Sequence, residues 1–192
     1  MLQGSDRLLM LSYGGREKQD IIWKHIHIPQ TYLNDNWPIK FVSINDDATK
    51  VVVVGKRGFL IYNFKTQKWH LFGDTNHEQQ LDVFAVCWFE EFVFVGNERA
   101  DVHVDETESE NNNNTNLNHQ SNINNIHRAN SKYEIIAFKS NSKLDLSQVI
   151  FREQLSRRRP LFFECNQQFL FLFTRDFFFY QYKIVKLESQ QG

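Results

Sequence analysis

The sequence predicts an all-β chain: a partial WD-repeat-like β-propeller of about three to four blades, each of four antiparallel strands, with one disordered insertion. Three observations carry this. Between Trp37 and Gly73, four short apolar runs alternate with turn-forming breaks within the length of one blade. Parts of that stretch recur along the chain. Several runs are apolar at every position, which calls for sheet stacked on sheet.

The stretch divides into Ile39–Ile44, Lys50–Gly55, Phe59–Phe64 and Trp69–Phe72. Its breaks, Asn45-Asp46-Asp47, Lys56-Arg57-Gly58 and Lys65-Thr66-Gln67, read as turns. Lys50–Gly55 compares with Glu91–Gly96, and Ile22–His25 more loosely with Lys68–His70, each about one blade length of roughly 40–45 residues away. Lys56–Tyr62 compares with Thr174–Tyr180, about two blade lengths away once the insertion is removed. On this periodicity Arg7–Tyr13 and Ile21–Ile28 end an incomplete blade, and Ile39–Phe72 forms a full one. Val83–Phe89 and Glu91–Asn97 open a third, which resumes with Tyr133–Lys139 and Leu146–Arg152. Leu146, Val149, Ile150 and Glu153 also fit a helical spacing. Pro160–Cys165, Phe169–Thr174 and Phe177–Val185 begin a fourth blade. In the last of these Phe177 and Phe179 point one way and Phe178 and Tyr180 the other, so burial on both faces is expected. Clear amphipathic helices are not evident.

Asp105 to Ser131 carries Glu106, Glu108 and Glu110 followed by runs of Asn, Ser and His. Such a segment buries too little apolar surface to offset the cost of ordering. Residues 1–192 are thus expected to form a partial β-propeller, the N-terminal fragment of a longer protein, with 105–131 as a disordered Asn-rich insertion. The remaining residues are too few for a large closed ring, so an isolated chain is expected to expose blade faces at its ends.

Composition narrows the function classes. Aromatics make up 15%, with 18 Phe, which favours pleated, half-buried surfaces. A formal charge of −1 gives no electrostatic case for nucleic acid or an anionic membrane. Cys87 and Cys165 lie in apolar runs and read as reduced core residues, which favours a cytosolic setting. Leu8 to Leu11 is too short for a signal-peptide core, and no run approaches a membrane span.

Each chemical candidate has a plainer structural reading. His25 and His27 share a strand face and could both reach a metal, but read as surface residues. Gly55-Lys56-Arg57-Gly58 lacks P-loop spacing and reads as a hairpin turn. Glu90-Glu91 reads as a turn, Arg157-Arg158-Arg159 as a solvated loop, and the sequon Asn113-Asn114-Thr115 as chance. No catalytic, cofactor-binding or metal set is nominated, and the partner-binding residues are left unassigned. Trp69 is expected to be buried, with its loss to alanine costing roughly 3–5 kcal/mol.

Thr31-Tyr32-Leu33, Asn36-Trp37-Pro38-Ile39, Val53-Val54-Gly55-Lys56, Gly58-Phe59, Tyr62, Lys68-Trp69, Leu71-Phe72-Gly73 and Glu78-Gln79 occur in that order. This series resembles the amino-terminal propeller of the Ric-one family, the large WD-repeat-like subunits of a two-subunit guanine-nucleotide exchange factor. The resemblance implies a smaller arrestin-like Rgp-one partner and a Golgi Rab GTPase of the Rab-six (Ypt-six) class as client. It implies a scaffold without cofactor, cytoplasmic and peripheral at Golgi membranes, acting in retrograde endosome-to-Golgi transport. The alternative expectation is a WD-like protein-interaction module of another trafficking complex.

Overall fold

The computed structural model describes residues 1–13, 21–99, 133–155, 160–166 and 168–185. Fourteen strands lie in four antiparallel sheets among these residues. The first sheet orders β1 (Leu2–Gln3), β2 (Arg7–Tyr13) and β3 (Ile21–His27). The second holds β4 (Phe41–Ile44), β5 (Lys50–Val54), β6 (Phe59–Asn63) and β7 (Lys68–His70) in sequence order. The third runs from β8 (Asp82–Phe89) through β9 (Phe92–Glu98) and β10 (Tyr133–Lys139) to β11 (Phe151–Leu155). The fourth holds β12 (Pro160–Asn166), β13 (Phe169–Thr174) and β14 (Phe179–Lys183). Each sheet is a meander, and the first strands β4, β8 and β12 adjoin one another. This is the blade arrangement of a partial propeller, with first strands inward and fourth strands at the rim.

Three apolar layers separate the four sheets. Val51, Val53, Leu60 and Tyr62 of the second sheet meet Leu8 and Ile26 of the first. Val52, Val54, Phe59 and Ile61 point the opposite way, against Val93, Val95, Ile136 and Phe138 of the third. Phe94, Tyr133, Ile135 and Ala137 then meet Leu170, Leu172, Tyr180 and Tyr182 of the fourth. Unbroken apolar runs such as Val51–Val54 follow from burial on both faces.

The turns follow the sequence chemistry. Asn63 Oδ1 accepts from the backbone N–H of Lys65 and Thr66, while Gln67 takes φ +56°. Asn45 and Asp47 brace the β4–β5 turn, where Asp47 Oδ1 accepts from Thr49 N and Oγ1. Glu90 takes φ +51° in the β8–β9 turn, and Glu91 pairs with Lys139 at 3.6 Å.

Several expectations need correction. Two short helices are present, α1 (Gln30–Asn36) and α2 (Thr75–Gln79). Neither is long enough to show a helical stripe, although Asp74 caps α2 by accepting from Asn76 N. The first sheet gains the two-residue β1. The fourth strand of the third sheet starts only at Phe151, because Leu146–Gln148 form a 3-10 turn capped by Asp145. Phe177 and Phe178 precede β14 instead of opening it. Phe177 sits in a turn at φ +69°, and Phe177, Phe178 and Phe179 are 84%, 49% and 59% exposed. Phe179 points away from the third sheet, and no described sheet covers that side.

The repeat is also one residue off. Val51 and Val53 face the preceding sheet, as do Val93 and Val95, so Val53 corresponds to Val95, whereas the glycine match pairs Val54 with it. A single-residue slip swaps the faces of a strand. The expected disordered insertion, 105–131, lies outside the described residues. β9 ends with Glu98, which pairs with Tyr133 at the start of β10.

Phe72 does pack between sheets, with its ring centroid 5.2 Å from Phe59 and 6.1 Å from Phe138. Trp69 is half-buried, not buried. Its ring lies 4.9 Å from Tyr62, and its indole N–H donates to the His27 carbonyl at 3.0 Å. Trp69→Ala is accordingly expected to cost about 2–3 kcal/mol, below the fully buried range. Urea unfolding checks this; a loss under about 0.5 kcal/mol would exclude the indole as a tie between the first two sheets.

Candidate functional site

Five of the residues that carry the sequence resemblance, Tyr32, Asn36, Gly55, Glu78 and Gln79, meet at one place, where α1, the β5–β6 hairpin and α2 come together. Pro29 at the start of α1 offers its carbonyl to the N–H groups of Tyr32 and Leu33. The helix buries Tyr32, Leu33 and Asn36 and ends at Trp37, whose extended backbone leads through a cis bond to Pro38. Tyr32 Oη accepts from Gly55 N at 2.8 Å and reaches the carbonyls of Arg57 and Gly58, both at 3.3 Å. Burial pushes the Tyr32 phenol well above its ordinary range, so it stays a neutral donor.

Asn36 is fully buried and uses both ends of its carboxamide. Its Nδ2 donates to Glu78 Oε2 at 3.1 Å, and its Oδ1 accepts from Gln79 Nε2 at 3.2 Å. Its own carbonyl accepts from Lys56 N at 2.6 Å. Gly55 leaves the space this requires, since a Cβ there would stand 2.3 Å from the Asn36 carbonyl oxygen. Gly58 sits at φ +58° and donates to the Leu81 carbonyl.

Glu78 is a buried carboxyl, and burial raises its pKa despite the opposing hydrogen bond from Asn36. The folded pKa lies above the unfolded one, so stability falls as pH rises through the range just above ordinary glutamate values. Glu78→Gln keeps an oxygen for Asn36 and removes the charge, so it is expected to be neutral or stabilising at pH 7. Glu78→Ala strands the Asn36 donor and is expected to cost about 1–3 kcal/mol. Thermal unfolding of the two variants side by side checks the ordering, which reverses if the charge itself holds the site.

These buried hydrogen bonds form a lock that fixes a surface. Exposed above it stand Asp35, Trp37 (60% exposed), Pro38 and Lys56. Beside them Asp82 receives Lys40 Nζ at 2.7 Å and Arg57 Nη1 at 3.1 Å. Such partly exposed pairs contribute little to stability and serve mainly to orient the residues beside the lock.

The other nominated residues are dispersed. His25 and His27 are exposed on β3, on the face away from the second sheet. Among the described residues, no group of three His, Cys, Asp or Glu could hold a metal. Gly55–Gly58 is the β5–β6 turn. Arg157–Arg159 and the sequon lie outside the described residues. Cys87 is buried and Cys165 half-buried, both as free thiols. Burial pushes the Cys87 thiol up, with Cys165 beside it, which keeps it unreactive.

Sequence reasoning missed two polar clusters. Buried Glu134 accepts from Asn97 Nδ2 at 2.8 Å and Gln154 Nε2 at 3.1 Å, with Arg152 Nη1 3.4 Å away. Alternation along β10 gives no hint that an inward position would be acidic. Asp145 accepts from Ser147 N and Oγ, and faces His77 Nδ1 at 3.0 Å and Lys143 Nζ at 3.5 Å. Here Asp145-Leu146-Ser147 was a readable cap pattern. The Ser147 hydrogen bonds, then His77 and Lys143, lower the Asp145 pKa from 3.8 to about 2. Its stabilising effect is full above the ordinary value and is lost as pH falls toward about 2. Asp145→Asn is expected to flatten the loss of stability across that acid window, measured as unfolding midpoints against pH; an unchanged slope would rule Asp145 out as its source.

Comparison with known proteins bears on what the surface serves. Residues 4–192 match the family model described as RIC1 second beta propeller domain. The chain is 38% identical over 88 residues to the guanine nucleotide exchange factor subunit RIC1 of Homo sapiens, covering 42% of this chain and 6% of that protein. It is 39% identical over 72 residues to the Mus musculus protein of the same name, covering 37% and 5%. With the ric1 subunit of Schizosaccharomyces pombe it shares 35% over 75 residues, covering 38% and 7%. The matched region is thus a small part of those relatives' length. The propeller in question is the second of that family, where the sequence resemblance pointed to the amino-terminal one. On the match across residues 4–192, the chain belongs to the RIC1 second beta-propeller domain family.

Proposed function

We propose that this chain is a scaffold part of a guanine-nucleotide exchange factor subunit that activates a Golgi Rab GTPase of the Rab-six class. In this reading it works in retrograde endosome-to-Golgi transport and reaches the membrane indirectly, with a smaller arrestin-like Rgp-one-type subunit. The supporting observation is the family match over residues 4–192 together with relatives named as exchange-factor subunits. The geometry fits a scaffold: a buried polar lock holds a surface rigid. An exchange factor stabilises the nucleotide-free state of its GTPase, which requires a preorganised surface more than bond-making chemistry.

Among the exposed members of the recognisable stretch, Trp37 and Lys56, which stand above the lock, are the contact candidates. Tryptophan in particular supplies large anchoring contacts at interfaces. The test is release of labelled GDP from the Golgi Rab by the full-length protein with its Rgp-one-type subunit. Acceleration is expected, and the double variant Trp37→Ala, Lys56→Glu is expected to weaken exchange or subunit binding about tenfold, with unchanged unfolding. No acceleration, with stable association to a different trafficking assembly, would replace this reading with the WD-like interaction module.

A further inference from the structure

Cys87 of β8 and Cys165 of β12 lie on first strands that adjoin at the hub. Strand register settles their direction. Cys87 pairs with Phe94 and Cys165 with Leu170, and all four belong to the layer between the third and fourth sheets. Trp88, one residue on, points the other way and donates its indole N–H to the Ser43 carbonyl of the second sheet at 3.2 Å. Within the layer the two cysteines are neighbours. The Cys87 thiol is in hydrogen-bond contact with the side chain and the backbone N–H of Cys165. Both are free thiols.

The two differ in access. Cys87 is 6% exposed, which shields it from dissolved reagents. Cys165 is half-buried and forms part of the wall of an open cavity of about 530 Å³, with ample room for hydrogen peroxide. Asp46, Glu90 and Glu164 line the same cavity and disfavour an anionic oxidant such as glutathione disulfide. A shielded thiol held against an accessible one is the arrangement of a resolving and a reacting cysteine.

We propose that Cys165 and Cys87 form an oxidation site, at which a hydroperoxide converts the pair into a disulfide that pins the fourth sheet to the third. In the first step the Cys165 sulfur attacks one oxygen of hydrogen peroxide. The O–O bond breaks, the departing hydroxide takes up the thiol proton as water, and Cys165 becomes a sulfenic acid. In the second step the Cys87 sulfur attacks the Cys165 sulfur. The S–S bond forms, the S–O bond breaks, and the hydroxyl leaves with the Cys87 proton as a second water. Two thiols lose two electrons, and one peroxide is reduced to two waters. Contact with Cys165 stands in for solvent encounter, so Cys87 reacts as an internal partner despite its burial. The new bond would lie on the side of β8 opposite the Trp88 tie, holding that strand from both sides. The proposal is independent of which GTPase or partner subunit the protein serves.

The experiment exposes reduced full-length protein to hydrogen peroxide, alkylates and digests it, and follows the cysteine peptides by mass spectrometry. The expected product is a linked Cys87–Cys165 peptide, two hydrogens lighter than the reduced pair and reopened by dithiothreitol. In Cys87→Ser, Cys165 is expected to run on to the sulfinic acid, which the resolving thiol otherwise prevents. In folded Cys165→Ser protein, Cys87 is expected to stay a thiol. Sulfinic acid at Cys165 of the unsubstituted protein without the link would overturn the pairing, as would linkage of Cys165 to another cysteine or a second copy. Survival of both thiols in peroxide that oxidises free cysteine would overturn the site. Oxidation of Cys87 in folded Cys165→Ser protein would overturn the order of attack.

Discussion

Gly55→Ala is expected to destabilise the protein by more than about 3 kcal/mol, at or beyond the upper end of ordinary overpacking. The added Cβ would stand 2.3 Å from the Asn36 carbonyl oxygen, 2.8 Å from Tyr32 Oη and 2.9 Å from Asn36 Cβ. All three atoms belong to α1, which cannot shift alone. Asn36 is tied to Glu78, Gln79 and Lys56, and Tyr32 to the hairpin itself. Moving α1 outward would break several buried hydrogen bonds together. Gly58→Ala serves as the comparison. Its Cβ would stand 2.3 Å from Cγ of the Glu78 side chain, so displacing that single side chain adds to the about 1–2 kcal/mol of the left-handed backbone, without moving a helix. Urea midpoints followed by circular dichroism should place Gly55→Ala well below Gly58→Ala. The reverse order would mean that α1 yields easily and that the lock is loose.

The second large effect is expected at Phe138. This buried ring contacts Phe59 at 5.4 Å and Phe72 at 6.1 Å, and Phe59 meets Phe72 edge-on at 5.2 Å. The trio spans the second and third sheets, so Phe138→Ala opens a cavity that neither sheet can close alone. The expected cost is about 3–5 kcal/mol. Because edge-to-face pairs add to area burial, Phe138→Leu should recover only part of it. Calorimetry supplies the check. If the variant loses less than about 1 kcal/mol, the two sheets are not joined through these rings.

The sequence was most legible where local chemistry and burial agree. The β5–β6 hairpin was readable because Val51–Val54 is apolar throughout and Gly58 marks a left-handed turn. The β14 region misled for the same reason that made it conspicuous. Phe177, Phe178 and Phe179 read as a doubly buried strand, yet hydrophobicity alone cannot say whether a covering sheet is among the residues in hand. The helices escaped notice because α1 and α2 are too short to show a periodic stripe. The resemblance located the lock by its residues, but the contact between Asn36 and Glu78 joins positions far apart in sequence and follows only from the way α1 and α2 bracket the hairpin.

The ties between sheets have a consequence for the shape of the whole ring. The first two sheets are joined at the hub by Gln3 Nε2 on the Ile39 carbonyl and at the rim by Trp69 on the His27 carbonyl. The next pair is joined at the hub by Trp88 on the Ser43 carbonyl and toward the rim by Gly73 N on the Leu144 carbonyl. A greasy layer sets how far apart two sheets lie but tolerates rocking. Directional bonds at both ends of the wedge set its opening angle, and the sum of those angles decides how many wedges complete a circle. Between the described sheets those angles rest on a few polar contacts at hub and rim as much as on the apolar filling between them.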